Sequence, residues 1–197
     1  MNGRSKLQHG QIYLIPKERA FDLTIELALT TGVRLLVCGN RLPFYDIAYA
    51  LARRVGQRYE MILKKGITFS RAETCTQLID RLSEMDAHAT PLLVSDLLAR
   101  FYDEQERQVD ELFFTCQVEL QRLSQDCLVF VSADPRPPLE RLGHVLDRIT
   151  RQLEYSPSPN LHQKGKHYGS HTAPLLPSIQ DRESHVQRIE TRFAAAR

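Results

Sequence analysis

The sequence predicts an α/β protein, a three-layer sandwich with a mostly parallel central sheet. Three observations lead there. Five short runs, at residues 12–15, 33–38, 67–70, 92–95 and 127–132, are apolar along most of their length instead of alternating with polar residues. Strands of that kind are buried on both faces, which is the signature of parallel sheets. Segments with helical spacing lie between the runs, as crossover connections require. The 197-residue chain is 42% hydrophobic, which supplies a core of the necessary size.

Each element has a local reason. Ile12-Tyr13-Leu14-Ile15 is a β-rich run after Gly10. From Phe21 to Thr31 the residues Phe21, Ile25, Ala28 and Leu29 share one helical face, and Gly32 closes the helix. Val33 to Cys38 is the second strand, ended by Gly39-Asn40. A helix follows over Tyr45–Val55, with Pro43 near its start and Gly56 after it. Ile67 to Ser70 is the third strand. Cys75 to Met85 is the next helix, with Leu78, Ile79 and Leu82 on one side.

Pro91 opens the fourth strand, Leu92 to Ser95. Val109 to Ser124 is a long helix with Leu112, Phe113, Cys116, Leu120 and Leu123 at helical spacing. Cys127 to Ser132 is the fifth strand. Leu139 to Val145 opens a further helix, and 147–153 reads equally as its continuation or as a sixth strand. Ser156-Pro157-Ser158-Pro159 breaks regular structure. The organisation expected is a domain over 1–155 and a tail over 156–197 containing a terminal helix.

The net charge of +2 announces neither nucleic acid nor membrane. It is unevenly spread, since 136–197 holds 10 Lys+Arg against 6 Asp+Glu. Cys38, Cys75, Cys116 and Cys127 form no C-x-x-C pair, so free buried thiols in a reducing cytoplasm are expected. The N-terminus shows no signal-peptide pattern, and no apolar run is long enough to span a membrane. His167 and His171 are four apart, but Gly169 and nearby prolines oppose a helix, so no metal site is expected.

The ordered elements resemble the RecA-like recombinase core, a P-loop ATPase fold. Val33–Gly39 followed by Asn40-Arg41-Leu42-Pro43-Phe44 is similar to the family strand that ends in an acidic-Gly-Thr-Phe turn. Ile67 to Ala72, then Thr76-Gln77, is similar to the strand ending in Ala-Arg-Ala and the helix after it. Leu92-Leu93-Val94-Ser95-Asp96, with Phe101-Tyr102 beyond, resembles the Walker B strand and its trailing aromatic. The likeness covers roughly residues 10–135.

The departures concern the chemistry. No G-x-x-x-x-G-K-[ST] occurs. Where that loop belongs the chain reads Ile15-Pro16-Lys17-Glu18-Arg19-Ala20-Phe21-Asp22, with no glycine to turn N–H groups toward a phosphate. Gly39 stands where the resemblance places the acid that activates water. Asp96 alone remains, and Mg²⁺ is normally held by carboxylates together with substrate phosphates. Lys17, Arg19, Gly39, Asn40 and Asp96 are therefore read as the remnant of a nucleotide pocket, with no cofactor expected. Asp96 in particular is read as a relic or a helix-capping carboxylate.

The resemblance implies a non-catalytic RecA-superfamily protein, a pseudo-ATPase of DNA recombination or repair. Its expected partner is a recombinase, polymerase or related factor, with single-stranded DNA as a further candidate. Two alternatives stand beside it: an active nucleotide-binding ATPase with an unorthodox loop using Lys17, Arg19 and Asp96, and an interaction protein outside DNA metabolism, such as the P-loop-less cell-division inhibitors. Candidate contacts are Arg41 and Arg71 after strands, and the basic run with Lys164, Lys166, His167 and Tyr168. Plain turns and a solvated tail are their bland readings. Arg71 in particular is read as the partner of Glu73. Asp103, Glu104 and Glu106 beside Arg100 and Arg107 read as a solvated charged turn.

Residues 157–178 hold four prolines, yet the tail also carries Leu161, Tyr168, Leu175, Leu176 and Ile179. Segments of that composition order on partners. Deleting 157–197 is expected to leave the core folded by circular dichroism and to weaken association with the partner or with single-stranded DNA. Undiminished binding by the truncated chain would confine the contact to the core.

Overall fold

The computed structural model describes residues 7–39, 44–86 and 88–152. Six parallel strands form one sheet in the order β3-β2-β4-β5-β1-β6. They are β1 (Ile12–Ile15), β2 (Val33–Val37), β3 (Ile67–Arg71), β4 (Leu92–Ser95), β5 (Val129–Ser132) and β6 (Thr150–Gln152). The helices are α1 (Lys17–Thr30), α2 (Phe44–Val55), α3 (Tyr59–Gly66), α4 (Cys75–Ser83), α5 (Glu106–Ser124) and α6 (Glu140–Ile149). Short 3-10 segments cover Gly56–Arg58 and Leu97–Asp103.

Two apolar clusters cover the two faces. On one, Leu23, Ile25, Ile47, Leu51 and Leu63 of α1–α3 pack on Tyr13, Leu35, Leu93 and Phe130. On the other, Leu78, Leu82, Phe113, Leu120, Leu142 and Leu146 of α4–α6 pack on Leu36, Val94, Val129 and Val131. Alternate residues of one strand thus feed opposite clusters, and both must be apolar. From β1 to β2 to β3 the chain steps one way across the sheet over the first face. From β3 through β4 and β5 to β6 it steps back over the second. The crossovers therefore share one hand.

Several boundaries differ from expectation. α1 begins at Lys17, directly after Pro16, and not at Phe21. Proline fixes its own φ near the helical value, so the chain enters the helix at once. α3 carried no start signal, since Arg58 at its N-cap makes no side-chain cap, and it is held by packing through Leu63, with Tyr59 and Ile62 beside it. Residues 139–152 resolve into both options, a helix and then a short strand, with Ile12 paired to Thr150. α4 starts at Cys75 as expected, behind a side-chain cap in which the Thr74 hydroxyl accepts the Gln77 N–H at 3.1 Å, and it ends at Ser83, short of Met85.

α1 and α3 approach closely at Gly66, where an added Cβ would lie 2.8 Å from the backbone oxygen of Ala28. A carbonyl on a packed helix cannot retreat cheaply. Gly66→Ala is expected to lower stability by about 1–3 kcal/mol, an overpacking cost, read from the urea midpoint at unchanged slope. A shift below about 0.5 kcal/mol, the range of an ordinary surface substitution, would show that the helices can part.

Candidate functional site

Open α/β sheets bind ligands beyond the carboxyl ends of their strands, where neighbouring connections diverge. Here that place lies between β2 and β4. The chain leaves β2 toward β3 over one face and leaves β4 toward β5 over the other. Gly39 and Asp96 stand just past these two strand ends. The parallel ladder continues that far, since the Cys38 N–H donates to the Ser95 carbonyl at 2.9 Å.

Asp96 has the left-handed backbone, φ 61° and ψ 48°, and among the described residues it is the one non-glycine with positive φ. Aspartate tolerates this conformation better than most side chains, though at a cost. Its N–H donates to the hydroxyl of Ser132 at the end of β5, 2.9 Å away. Asp96 precedes the 3-10 segment, but its carboxylate makes no cap there. The capping role expected from sequence is corrected accordingly.

The carboxylate instead receives Lys17, with Nζ 2.9 Å from Oδ2. Lys17 is the first residue of α1 and therefore sits at the carboxyl end of β1. Arg19, the other expected phosphate ligand, lies 3.8 Å from Asp22 on its own helix. No residue between 16 and 22 has positive φ, so the turn from β1 to α1 is tight and makes no inward ring of N–H groups.

Gly39 is held by its surroundings. A Cβ there would lie 3.1 Å from Asp96 Oδ2. An acid at this position would set two carboxylates against each other or push Asp96 off Lys17. Beneath Gly39, Arg100 donates from Nη2 to its carbonyl at 3.1 Å and is only 8% exposed. This corrects the reading of Arg100 as part of a solvated turn. The 3-10 segment turns Leu97, Leu98 and Phe101 into the core and carries Arg100 with them. The signal available in sequence was an arginine embedded in Leu97-Leu98-Ala99-Arg100-Phe101. Tyr102 ties the segment to the loop after β5, its hydroxyl accepting the Arg136 N–H at 2.7 Å.

Arg71 is exposed at the end of β3 and lies 4.0 Å from Glu73, the pairing expected from sequence, on the far side of β2 from Asp96. Lys17, Gly39 and Asp96 are thus brought together, and Arg19 and Arg71 are not. Asn40, Arg41, Lys164, Lys166, His167 and Tyr168 lie outside the described residues. No group of three or more metal-ligating side chains occurs among the described residues. No described helix is long and apolar enough to cross a membrane. The chain matches no family model, and no curated protein matches it.

All four cysteines are buried and free. Burial pushes the Cys38 thiol from 9.0 up to about 12, with the Arg100 guanidinium pulling the other way and Asp96 adding to the rise. The folded state thus holds this proton more tightly than the unfolded state does. Its contribution to stability is whole below pH 9.0 and is lost as pH rises through about 12. Cys38→Ala is expected to lower the urea midpoint at neutral pH, by opening a cavity, and to flatten its decline between pH 9.0 and about 12. An unchanged alkaline slope would mean that the thiol is not desolvated.

Proposed function

We propose that this chain is a non-catalytic α/β protein that acts through contacts in DNA recombination or repair, on a nucleotide-binding scaffold whose pocket is closed from within. The observation that carries the closed pocket is the Lys17–Asp96 ion pair, at 2.9 Å, with α1 starting flush on β1. A lysine turned onto the carboxylate is not placed to bridge β- and γ-phosphates. A glycine-free turn has no N–H cradle to hold them. The DNA setting is supported by the ordered resemblance of β2, β3 and β4 to the recombinase landmarks. Its partner would be a recombinase, a polymerase or a related factor, with single-stranded DNA as a further ligand.

A contact role outside DNA metabolism is the second reading. What favours it is an apolar pair on α5, Phe114 and Val118, 64% and 44% exposed and one turn apart. The alternative of an active ATPase loses ground on geometry, because Arg19 faces Asp22 and Lys17 faces Asp96.

Titration calorimetry with Mg·ATP at millimolar concentration is expected to show no saturable heat. Lys17→Met should not create binding either, since no phosphate cradle is present to be uncovered. A low-micromolar dissociation constant, abolished by Asp96→Ala, would overturn the closed pocket.

A further inference from the structure

A second surface lies away from this pocket, on the outer side of α2. Tyr45, Tyr49 and Arg53 follow one another at four-residue intervals, so they form a single row along the helix. The opposite side of α2 buries Ile47 and Leu51 completely, which already anchors the helix to the sheet. The two tyrosines add little to that anchoring, because they are 56% and 63% exposed. The Arg53 guanidinium carbon stands 5.9 Å from the Tyr49 ring centroid, within cation–π reach. At 1.5 Å per residue the row runs about 12 Å.

The charge along α2 and α3 is mostly positive, although Asp46 stands beside Tyr45 and Glu73 pairs with Arg71 at 4.0 Å. Residues 44–66 hold five Lys+Arg against two Asp+Glu. Arg54 and Arg58 continue the exposed cations beyond Arg53. At the other end the Phe44 ring packs 5.2 Å from Phe69 on the edge strand β3. Arg71, two residues past Phe69, projects to that same face of the sheet.

We propose that this ridge binds single-stranded nucleic acid, with Tyr45 and Tyr49 stacking bases and Arg53 and Arg71 contacting phosphates. Exposed rings one helical turn apart, set among cations, are what a single strand requires: a π-face for each base and a positive path for the backbone. Tyrosine and arginine also suit protein interfaces, and what favours a polyanion here is the continuation of exposed cations through Arg54 and Arg58. The inference rests on the nucleic-acid part of the proposed function and is independent of the closed pocket.

The test uses the full chain and a fluorescent oligothymidylate, followed by anisotropy across a salt series. The unaltered protein should bind with a salt-dependent affinity. Tyr45→Ala with Tyr49→Ala should weaken binding by about tenfold or more through loss of two stacking platforms. Tyr49→Phe, which keeps the ring, should stay within about twofold of the unaltered protein because stacking needs only the π-face. Arg53→Gln should reduce the salt slope by about one. If the unaltered chain binds and the double alanine variant binds equally well, the ridge is overturned while the DNA reading stands. If the unaltered chain does not bind even at low salt, both the ridge and the nucleic-acid part of the function are overturned.

Discussion

A parallel sheet covered on both faces leaves no place in the middle of the molecule for polar chemistry. Strand residues alternate between two apolar clusters, and both clusters are closed by helices. A charge placed there would need a partner and full hydrogen bonding to be tolerated. The polar groups therefore collect at the strand ends, where the ladder stops and the backbone must turn. Lys17, Gly39, Asp96 and Ser132 are neighbours for that reason: each stands at or just past the carboxyl end of a strand.

The energetics at that edge are small and opposed. The Lys17 side chain is 44% exposed and that of Asp96 21%, so their ion pair is a near-surface one, worth at most about 1 kcal/mol. The left-handed backbone of Asp96 costs a comparable amount, roughly 1–3 kcal/mol. The pair does not hold the fold together. What fixes Asp96 is the surrounding frame: Ser132 accepting its N–H, and the Arg100 donor beneath Gly39. A strained residue held by a rigid edge is how many α/β proteins present a reactive group. Here the carboxylate of the strained residue is matched by a cation of the same chain.

The outer surfaces divide differently. α2 shows tyrosines and arginines, while α5, on the opposite face of the sheet, shows Phe114 and Val118. One helix sets exposed rings among cations, and the other presents exposed apolar side chains. The sheet separates them, so the two kinds of contact need not compete for one patch.

Much of the layout was legible in the sequence. β1 and β4 match their expected bounds, because short apolar runs flanked by glycine or proline admit one reading. The parallel arrangement followed from the lack of alternation. The absence of a phosphate loop was equally plain, since no glycine occurs between Ile15 and Asp22. Sequence could not give contacts between residues far apart in the chain. Lys17 and Asp96 are 79 positions apart and meet only because β5 alone separates β1 from β4 in the sheet. Arg100 looked solvated because its neighbours on one side are acidic, and a 3-10 turn with no periodic signature took it inward. α3 and β6 were obscure for the same reason: neither carries its own start signal, and each is held by packing against an element the chain reaches elsewhere. Local patterns of burial and turn chemistry thus determined the layers. The order of strands, a long-range property, decided which side chains share the edge.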